Sequence, residues 1–224
     1  MNFDEIADRY ARLLSEVDNW YRRCQSAFPH EIQCVKGCSD CCRALFDITL
    51  LDAWFLRVGF KRLTKEVRSQ VALKAGERLQ GLRAIWPELS PPYLLNHRPE
   101  DQWQELMPEE DETPCVLLGE DGRCLVYEHR PMTCRLHGLP LIDPDGTVMH
   151  DEWCTMNFPG IDPLQLTELR ADFTRMFREE VAQFRGFERL LLNKGFMELD
   201  TFIPLALLVD YDSFDWMQWL KTHR

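Results

Sequence analysis

The chain has 224 residues, of which 45% are hydrophobic, and its formal net charge is −11. A chain of this length buries a core without covalent staples, and its acidic balance repels phosphate groups. These properties exclude general nucleic-acid binding and docking on anionic membranes. The longest apolar stretch, 203–209, is interrupted by Pro204 and is too short to span a bilayer.

The N-terminal stretch MNFDEIADRYARLLSEVDNW is acidic and amphipathic. It lacks the positive tip and apolar run of a secretory signal, so we expect a cytoplasmic location and a reducing environment. The chain has nine cysteines, which is an odd number. In a reducing compartment such a set argues against a disulfide framework.

Apolar residues spaced alternately by four and three positions predict a first helix, which we expect to continue to about Phe28. This helix is expected to dock on the core through its apolar side. Cys24 lies on that side and is expected to be a small core hydrophobe. The apolar positions are Ile6, Tyr10, Leu13, Val17, Trp20 and Cys24.

Residues 30–47 form a cysteine-rich loop. Thiolates spaced by two or three residues let one loop wrap a soft metal centre, and Gly37 gives the backbone room to turn. Because neighbouring side chains diverge, Cys41 and Cys42 rarely bind one tetrahedral ion together. One of the two is expected to serve a second metal, to bridge two metals or to act as a redox thiol. The four cysteines of the loop are Cys34, Cys38, Cys41 and Cys42.

Two helices are predicted after the loop. The first runs from Thr49 to Phe60, with Thr49 as its N-cap and Asp52 at the third helical position. The second begins at Thr64 and runs to about Ile85. A proline-rich and acidic connection follows them.

Asp-Gly pairs at 121–122 and 145–146 predict two short β-hairpins. In the first hairpin, a loop of even length would put Cys115 and Cys124 on one face, because strand side chains alternate between faces. Their sulfur atoms would then be poorly spaced for a disulfide and well spaced for ligands of a shared or neighbouring centre.

Pro131, in HRPMTCRLH, is expected to start a helical turn that puts Cys134 and His137 on one side. His137 is then either a further ligand or an ordinary hydrogen-bonded histidine. Arg130 and Arg135 flank this site. They are either solvated at the surface or donate hydrogen bonds to a negatively charged thiolate centre. In the second case they help to bind the cofactor.

Helices are expected to resume at Pro163, to end near Gly186, and to return in the tail, 198–220, around Pro204. The pattern predicts a mainly α fold, a single helical domain over residues 1–224. This domain has a small irregular cysteine-rich insert with one or two short β-hairpins, and its metal-binding core spans about 34–154. The expected apolar stripe of the late helix is Leu166, Leu169, Phe173, Met176, Phe177, Val181 and Phe184.

Eight of the nine cysteines fall into two sets along the chain, enough for two four-ligand sites or for one cluster with spare thiols. Their number and spacing predict metal ligands rather than free core thiols. The first three also match C-x₃-C-x₂-C, a spacing that holds a cubane with one open iron position. The predicted ligands are Cys34, Cys38, Cys41, Cys42, Cys115, Cys124, Cys134 and Cys154.

Together, CVKGCSDCC and PCVLLGEDGRCLVYEHRPMTCR resemble the zinc- or iron-chelating cysteine-cluster family, often called YkgJ-like. The family pattern is a C-x₃₋₄-C-x₂-C-C cluster followed by PC…C-x-I/V-Y-x-x-R-P-x-x-C-R. Every element of it is present between residues 34 and 135. The family is distantly related to flagellin lysine N-methylases. The resemblance implies metal binding through Cys34, Cys38, Cys41, Cys42, Cys115, Cys124 and Cys134.

We therefore expect a cytoplasmic metal-binding protein with an iron–sulfur cluster, of the 4Fe–4S type, or zinc. The adjacent pair and the surplus of thiols favour the cluster, which can transfer electrons or bind a substrate at an open iron. One alternative is an enzyme of the flagellin lysine N-methylase type that uses the centre as its cofactor. Another is a metal-delivery or sensing module with structural zinc, in which Cys42 or Cys154 is labile.

Overall fold

The computed structural model describes residues 3–35, 37–108, 110–193 and 199–222. Helices dominate these residues, and the strands are short, so the prediction of a mainly α fold with short hairpins is confirmed. None of the helices in the described ranges is both long enough and apolar enough to cross a bilayer. The helices are α1 (Phe3–Ala27), α2 (Leu50–Lys61), α3 (Lys65–Ile85), α4 (Glu100–Gln104), α5 (Met132–Leu136), α6 (Phe173–Leu192), α7 (Ile203–Ala206) and α8 (Trp216–Thr222). The strands are β1 (Asp47–Thr49), β2 (Leu141–Ile142), β3 (Val148–His150) and β4 (Asp200–Phe202).

Helix α1 buries the apolar stripe that the sequence predicts, and it packs against α6 and the short α5. Burying each large apolar side chain contributes roughly 1.5–3 kcal/mol, so tertiary contact rather than local propensity holds this helix. Cys24 is 0% exposed within the same stripe. Its predicted role as a core hydrophobe is confirmed.

Helices α2 and α3 begin at the predicted caps. The Thr49 hydroxyl accepts a hydrogen bond from the Asp52 N–H at 3.1 Å, and the Thr64 hydroxyl accepts one from the Val67 N–H at 3.4 Å. Each cap satisfies a backbone donor that the first helical turn leaves free. Helix α2 therefore starts directly after β1, the short strand that follows the cysteine-rich loop.

Two antiparallel strand pairs complete the fold. The predicted hairpin around 145–146 is present as β2 and β3. The second pair joins β1 to β4, with Ile48 opposite Thr201. The prediction that the tail is helical was therefore wrong at Asp200–Phe202, because this segment finds its hydrogen-bond partners in a distant part of the chain. Strand β1 follows the cysteine-rich loop, so β4 ties the end of that loop to the tail.

Helix α6 differs from its prediction at both ends. Residues 163–169 form single 3₁₀ turns, and α6 begins only after Asp172, whose carboxylate accepts a hydrogen bond from the Arg175 N–H at 3.0 Å. The helix continues past Gly186 to Leu192. Glycine inside a helix costs about 1 kcal/mol, and burial of Phe187 and Leu192 beyond it outweighs that cost.

Candidate metal centre

The cysteine-rich loop is a series of tight turns. The Cys38 N–H donates to the Val35 carbonyl and the Cys42 N–H donates to the Ser39 carbonyl, each at 2.9 Å. Such turns bring side chains that are three or four positions apart to one side of the loop. The loop therefore folds back on itself at both turns.

The loop packs on the turn at 119–123. Gly37 and Gly122 both have positive φ angles, +96° and +73°. A Cβ atom at Gly122 would lie 2.6 Å from the Gly37 carbonyl oxygen, so this contact needs glycine. The early and late cysteine motifs thus touch through their backbones.

Cys42 and Cys115 lie opposite each other beside an isolated antiparallel bridge. The Cys115 N–H donates to the Cys42 carbonyl at 2.8 Å, and Arg43 forms an antiparallel bridge with Pro114. Directly opposed residues of an antiparallel pair present their side chains on one face, with Cβ atoms about 4.5–5.5 Å apart. This pairing joins the first cysteine motif to the second.

The expected hairpin that joins Cys115 to Cys124 is reduced to one bridge, between Leu118 and Cys124. Five residues lie between these partners, so the loop length is odd and the predicted even register was wrong. The Asp121 carboxylate accepts a hydrogen bond from the Arg123 N–H at 3.2 Å, which stabilises the wider turn. Cys115 reaches the site through a tight turn of its own, since the Leu118 N–H donates to its carbonyl at 2.9 Å.

Cys134 lies on α5, which begins after Pro131 as predicted. The buried Asp52 carboxylate accepts hydrogen bonds from the Met132 N–H at 3.1 Å and from the Tyr10 hydroxyl at 2.6 Å. This carboxylate caps α5 and ties it to both α1 and α2. The position of Cys134 is therefore set by the helical core.

A buried asparagine that the sequence analysis missed holds Cys34 and Cys154 together. Asn157 is 1% exposed, and its amide group donates to the Gly138 carbonyl at 2.7 Å and to the Cys34 sulfur at 3.4 Å. The Asn157 N–H also donates to the Cys154 carbonyl at 2.8 Å. The only sequence signal for this role is its position three residues after Cys154.

Tyr21 approaches the same place from α1. Its hydroxyl is hydrogen-bonded to Cys34, and burial together with the charges of Cys34, Cys41 and Cys154 raises its pKa. A Cβ atom at Gly138 would lie 3.3 Å from this hydroxyl and 3.6 Å from the Cys34 sulfur. A glycine at this position therefore leaves space beside the thiol.

The electrostatic interactions among the eight predicted ligands fall into two sets, and the hydrogen bond between Cys41 and Cys42 connects these sets. In the first, the charges of Cys34, Cys38 and Cys41 act on Cys154. In the second, those of Cys115, Cys124 and Cys134 act on Cys42. We call them the Cys34 group and the Cys134 group. The Cys34 group is Cys34, Cys38, Cys41 and Cys154, and the Cys134 group is Cys42, Cys115, Cys124 and Cys134.

Burial controls the chemistry of these thiols. It raises the pKa of Cys115 to about 11, and it raises the pKa of Cys134 together with the charges of Cys115 and Cys124. Cys41 shares a hydrogen bond with Cys42, which raises the pKa of Cys41 and lowers that of Cys42. A bound cation would be required to deprotonate most of these thiols at neutral pH.

Arg130 and Arg135 lie beside the thiols in different ways. Arg135 is only 4% exposed, and it pairs with Asp18 and donates to the Glu128 and Arg130 carbonyls. A buried ion pair thus replaces the surface solvation considered for Arg135. Arg130 pairs with Asp18 at 3.2 Å, while its buried Nε has no hydrogen-bond partner among the described residues.

The charge of Arg130 acts on Cys41, Cys124 and Cys134. Its position therefore fits a donor to a thiolate centre. His137 has its contacts elsewhere. It is exposed, its ring packs edge-on against Phe46 at 6.0 Å between centroids, and the charges of His150 and Glu152 act on it.

The donor set fits a soft metal in chemistry and number, since each group offers four thiols. Within the described ranges, no three or more His, Cys, Asp or Glu side chains stand in a ready-made coordination sphere.

These features define a mainly helical protein with a thiol-rich segment. The model of the family CxxCxxCC, "Putative zinc- or iron-chelating domain", matches residues 33–155, and the chain belongs to this family. The family description supports chelation of zinc or iron. Searches of curated proteins and of solved structures found no match.

Proposed function

We propose that this protein holds an inorganic centre, a 4Fe–4S cluster or zinc, through thiolates of its clustered cysteines. The observation that carries the proposal is the convergence of cysteine-bearing segments from separate parts of the chain. Backbone pairing of Cys42 with Cys115 and the Asn157 bonds to Cys34 and Cys154 support this convergence. The ninth cysteine, Cys24, is held apart in the core of α1.

An iron–sulfur cluster is the first candidate. Hydrogen bonds and positive charge near cluster sulfurs tune the reduction potential, and Arg130 offers an unpaired, buried Nε–H beside the thiols. In this proposal Cys34, Cys38, Cys41, Cys42, Cys115, Cys124, Cys134 and Cys154 supply the ligands. Arg130 would stabilise the negative charge of the thiolate-bound cluster, while Arg135 would hold the Arg130 backbone in place. The cluster, when bound, would supply electron transfer.

Zinc is the second candidate, because four thiolates satisfy a tetrahedral zinc ion completely. Zinc would lock the cysteine-rich loop onto the core and contribute on the order of 10 kcal/mol to folding. The protein would then act as a zinc-stabilised module for delivery or sensing. Of the two roles expected for His137, its contact with Phe46 favours an ordinary packed histidine over a ligand.

An enzymatic role has one specific observation in its favour. A cleft of about 350 Å³ lies between α1, α2 and the segment that leads into α5, lined in part by Ser15, Asp18, Arg62, His129 and Arg135. Its volume reaches the lower range of small-molecule sites. Methyl transfer from S-adenosylmethionine to flagellin lysines, followed by mass spectrometry, tests the methylase alternative directly.

In this proposal the protein works in the cytoplasm, where reducing conditions keep its thiols available. The decisive experiment is elemental analysis of protein purified without air, combined with its visible spectrum. A brown protein with iron and acid-labile sulfide supports the cluster, and a colourless protein with stoichiometric zinc supports the second candidate. Absence of both metals, also after anaerobic reconstitution, would contradict the proposed function. A Cys24→Ala variant should keep its full metal content.

A further inference from the structure

A cleft of about 350 Å³ lies between α1, α2 and the segment 128–135, and its lining differs from that of the cysteine site. None of the described residues that line it is a cysteine. Along the segment, Glu128, His129 and Arg135 line the cleft, whereas Arg130 and Cys134 belong to the cysteine site. The cleft volume lies within the range of small-molecule sites. The two sites therefore share one backbone segment and have separate linings.

Part of the cleft lining is apolar. Ala7 and Ala11 lie one turn apart on α1, so their side chains are neighbours on one face of that helix. Phe55 and Val58 line the cleft from α2. The small side chains on α1 leave space that longer ones would fill, and the side chains on α2 add apolar surface. This part of the cleft therefore fits the apolar body of a ligand.

His129 adds a flat surface to the lining. Its ring stacks on Phe55, with 5.0 Å between the centroids and 28° between the planes. A Cβ atom at Gly59 would lie 2.6 Å from the His129 Cβ, so α2 has a glycine where His129 packs. Burial and the charges of Arg62 and Arg135 lower the pKa of His129, so the imidazole is neutral at neutral pH. The ring therefore extends the apolar lining without adding a charge.

The charged groups of the cleft differ in whether the protein already pairs them. Arg135 and Asp18 form an ion pair with each other. Arg62, Asp8 and Glu128 also line the cleft and are exposed. Among the described residues, the side chains of these three form no ion pair or hydrogen bond. The cleft therefore offers a positive group from α2 and negative groups from α1 and the segment 128–135 to a ligand.

We propose that this cleft binds a small zwitterion with an apolar body, namely a free amino acid with an apolar side chain. Arg62 pairs with the carboxylate, and Asp8 or Glu128 pairs with the ammonium group. The apolar side chain packs against Ala11 and the ring of His129. A ligand with a single charge leaves charged groups of the other sign without a partner. This inference goes beyond the proposed function and does not rest on it, because the lining contains no predicted metal ligand.

L-Phenylalanine and L-leucine are the probes, and equilibrium dialysis against the full chain, purified with its metal, measures their dissociation constants. The tighter binder is then compared with two analogues that lack its amino or its carboxyl group. For L-phenylalanine these analogues are hydrocinnamate and phenethylamine, and for L-leucine they are isocaproate and isoamylamine. Each analogue should bind about tenfold more weakly, because it loses charge-assisted hydrogen bonds. An analogue that binds as tightly as the amino acid overturns the inference, and so does the absence of saturable binding of both amino acids.

Variants of the charged groups assign the binding to this cleft. Arg62→Gln should bind the amino acid about tenfold more weakly and bind its amine analogue as the wild type does. Arg68→Gln is the matched control, since Arg68 lies on α3 and does not line the cleft. The double variant Asp8→Asn, Glu128→Gln should no longer prefer the amino acid to its carboxylate analogue. If Arg62→Gln binds like Arg68→Gln, or if the double variant keeps its preference, the inference is wrong.

A variant that fills the cleft tests the place of the apolar body. Ala11→Leu should abolish binding of both amino acids, because the longer side chain occupies the space beside the His129 ring. The far-UV circular dichroism spectrum and the metal content of this variant should match those of the wild type, which shows that the fold and the cysteine site are intact. If Ala11→Leu is folded and binds with wild-type affinity, the amino acid does not bind in this cleft.

Discussion

The side-chain amide of Asn157 lies 3.4 Å from the sulfur of Cys34 and donates a hydrogen bond to it. The same residue accepts a hydrogen bond from the Gln33 N–H at 2.8 Å. One buried side chain thus orients a thiol and fixes the backbone next to it. Partners of this kind hold metal ligands in place and are as important as the ligands themselves.

Replacement of Asn157 by alanine should weaken metal binding at the Cys34 group by about 10–100-fold, the effect typical of lost ligand partners. It should also lower the free energy of unfolding by about 1–3 kcal/mol, because the Gln33 N–H and Gly138 carbonyl lose their partner. Competition with a chelator and urea unfolding measure the two effects. Asn96→Ala is the control, since Asn96 makes similar bonds to Asp200 at the surface. Equal metal affinity in both variants would show that Asn157 does not position Cys34 for metal binding.

Gly122→Ala should separate the early and late cysteine motifs. The new Cβ would lie 2.6 Å from the Gly37 carbonyl oxygen, at a φ angle of +73°. We expect a loss of about 1–3 kcal/mol in the free energy of unfolding and weaker metal binding. Gly160→Ala is the matched control, because Gly160 has a φ angle of +77° and nothing within 4 Å of its Cβ position. If both variants lose equal stability and keep metal affinity, contact with Gly37 is unimportant.

The Asp18 carboxylate should be essential for the segment that carries Cys134. Asp18→Asn leaves the buried Arg135 guanidinium without its charge partner. Removing one partner of a buried pair costs about 3–5 kcal/mol, and the partial exposure of Asp18 reduces this to roughly 2 kcal/mol. Thermal and urea unfolding measure the loss. Glu16 lies on the same helix as Asp18 and forms an exposed ion pair with Arg175. Glu16→Gln breaks this pair and should change the free energy of unfolding by less than about 1 kcal/mol.

The buried acids Asp52 and Glu180 should make the protein less stable as the pH rises. Burial raises the pKa of Asp52 to about 6 and that of Glu180 to about 8, and the charge of Asp52 adds to the rise at Glu180. Tyr10 donates to Asp52, and the charge of Arg135 opposes the shift. A carboxyl with a raised pKa favours folding while it is protonated. Its contribution is complete below about pH 4 and is lost as the pH rises through about 6 to 8.

Urea unfolding of the metal-free chain, repeated between about pH 5 and about pH 9, measures this dependence. Glu180→Gln should flatten it, because the amide has no proton to lose. Glu179→Gln should leave it unchanged, since Glu179 pairs with Arg175 at the surface. If the wild-type protein becomes more stable as the pH rises over this range, Asp52 and Glu180 do not control the pH dependence of its stability.

Local patterns in the sequence determined the elements that depend on near neighbours. The stripe of α1, the caps at Thr49 and Thr64, and the Asp-Gly hairpin at 145–146 are all present as predicted, because periodicity and turn chemistry act over a few residues. The cysteine motifs also identified the family, since ligand spacing is a local property.

Only the tertiary structure decided how these parts meet. The pairing of β1 with β4, the odd turn before Cys124, the burial of Arg135 and the role of Asn157 all depend on hydrogen bonds between distant segments. Such bonds leave no periodic signal, because each partner satisfies its polar groups with residues far away in the chain. The same reason applies to Cys41 and Cys42. Their spacing predicted thiol chemistry, and only the structure showed that the Cys42 backbone pairs with Cys115 while the Cys41 and Cys42 side chains are hydrogen-bonded to each other.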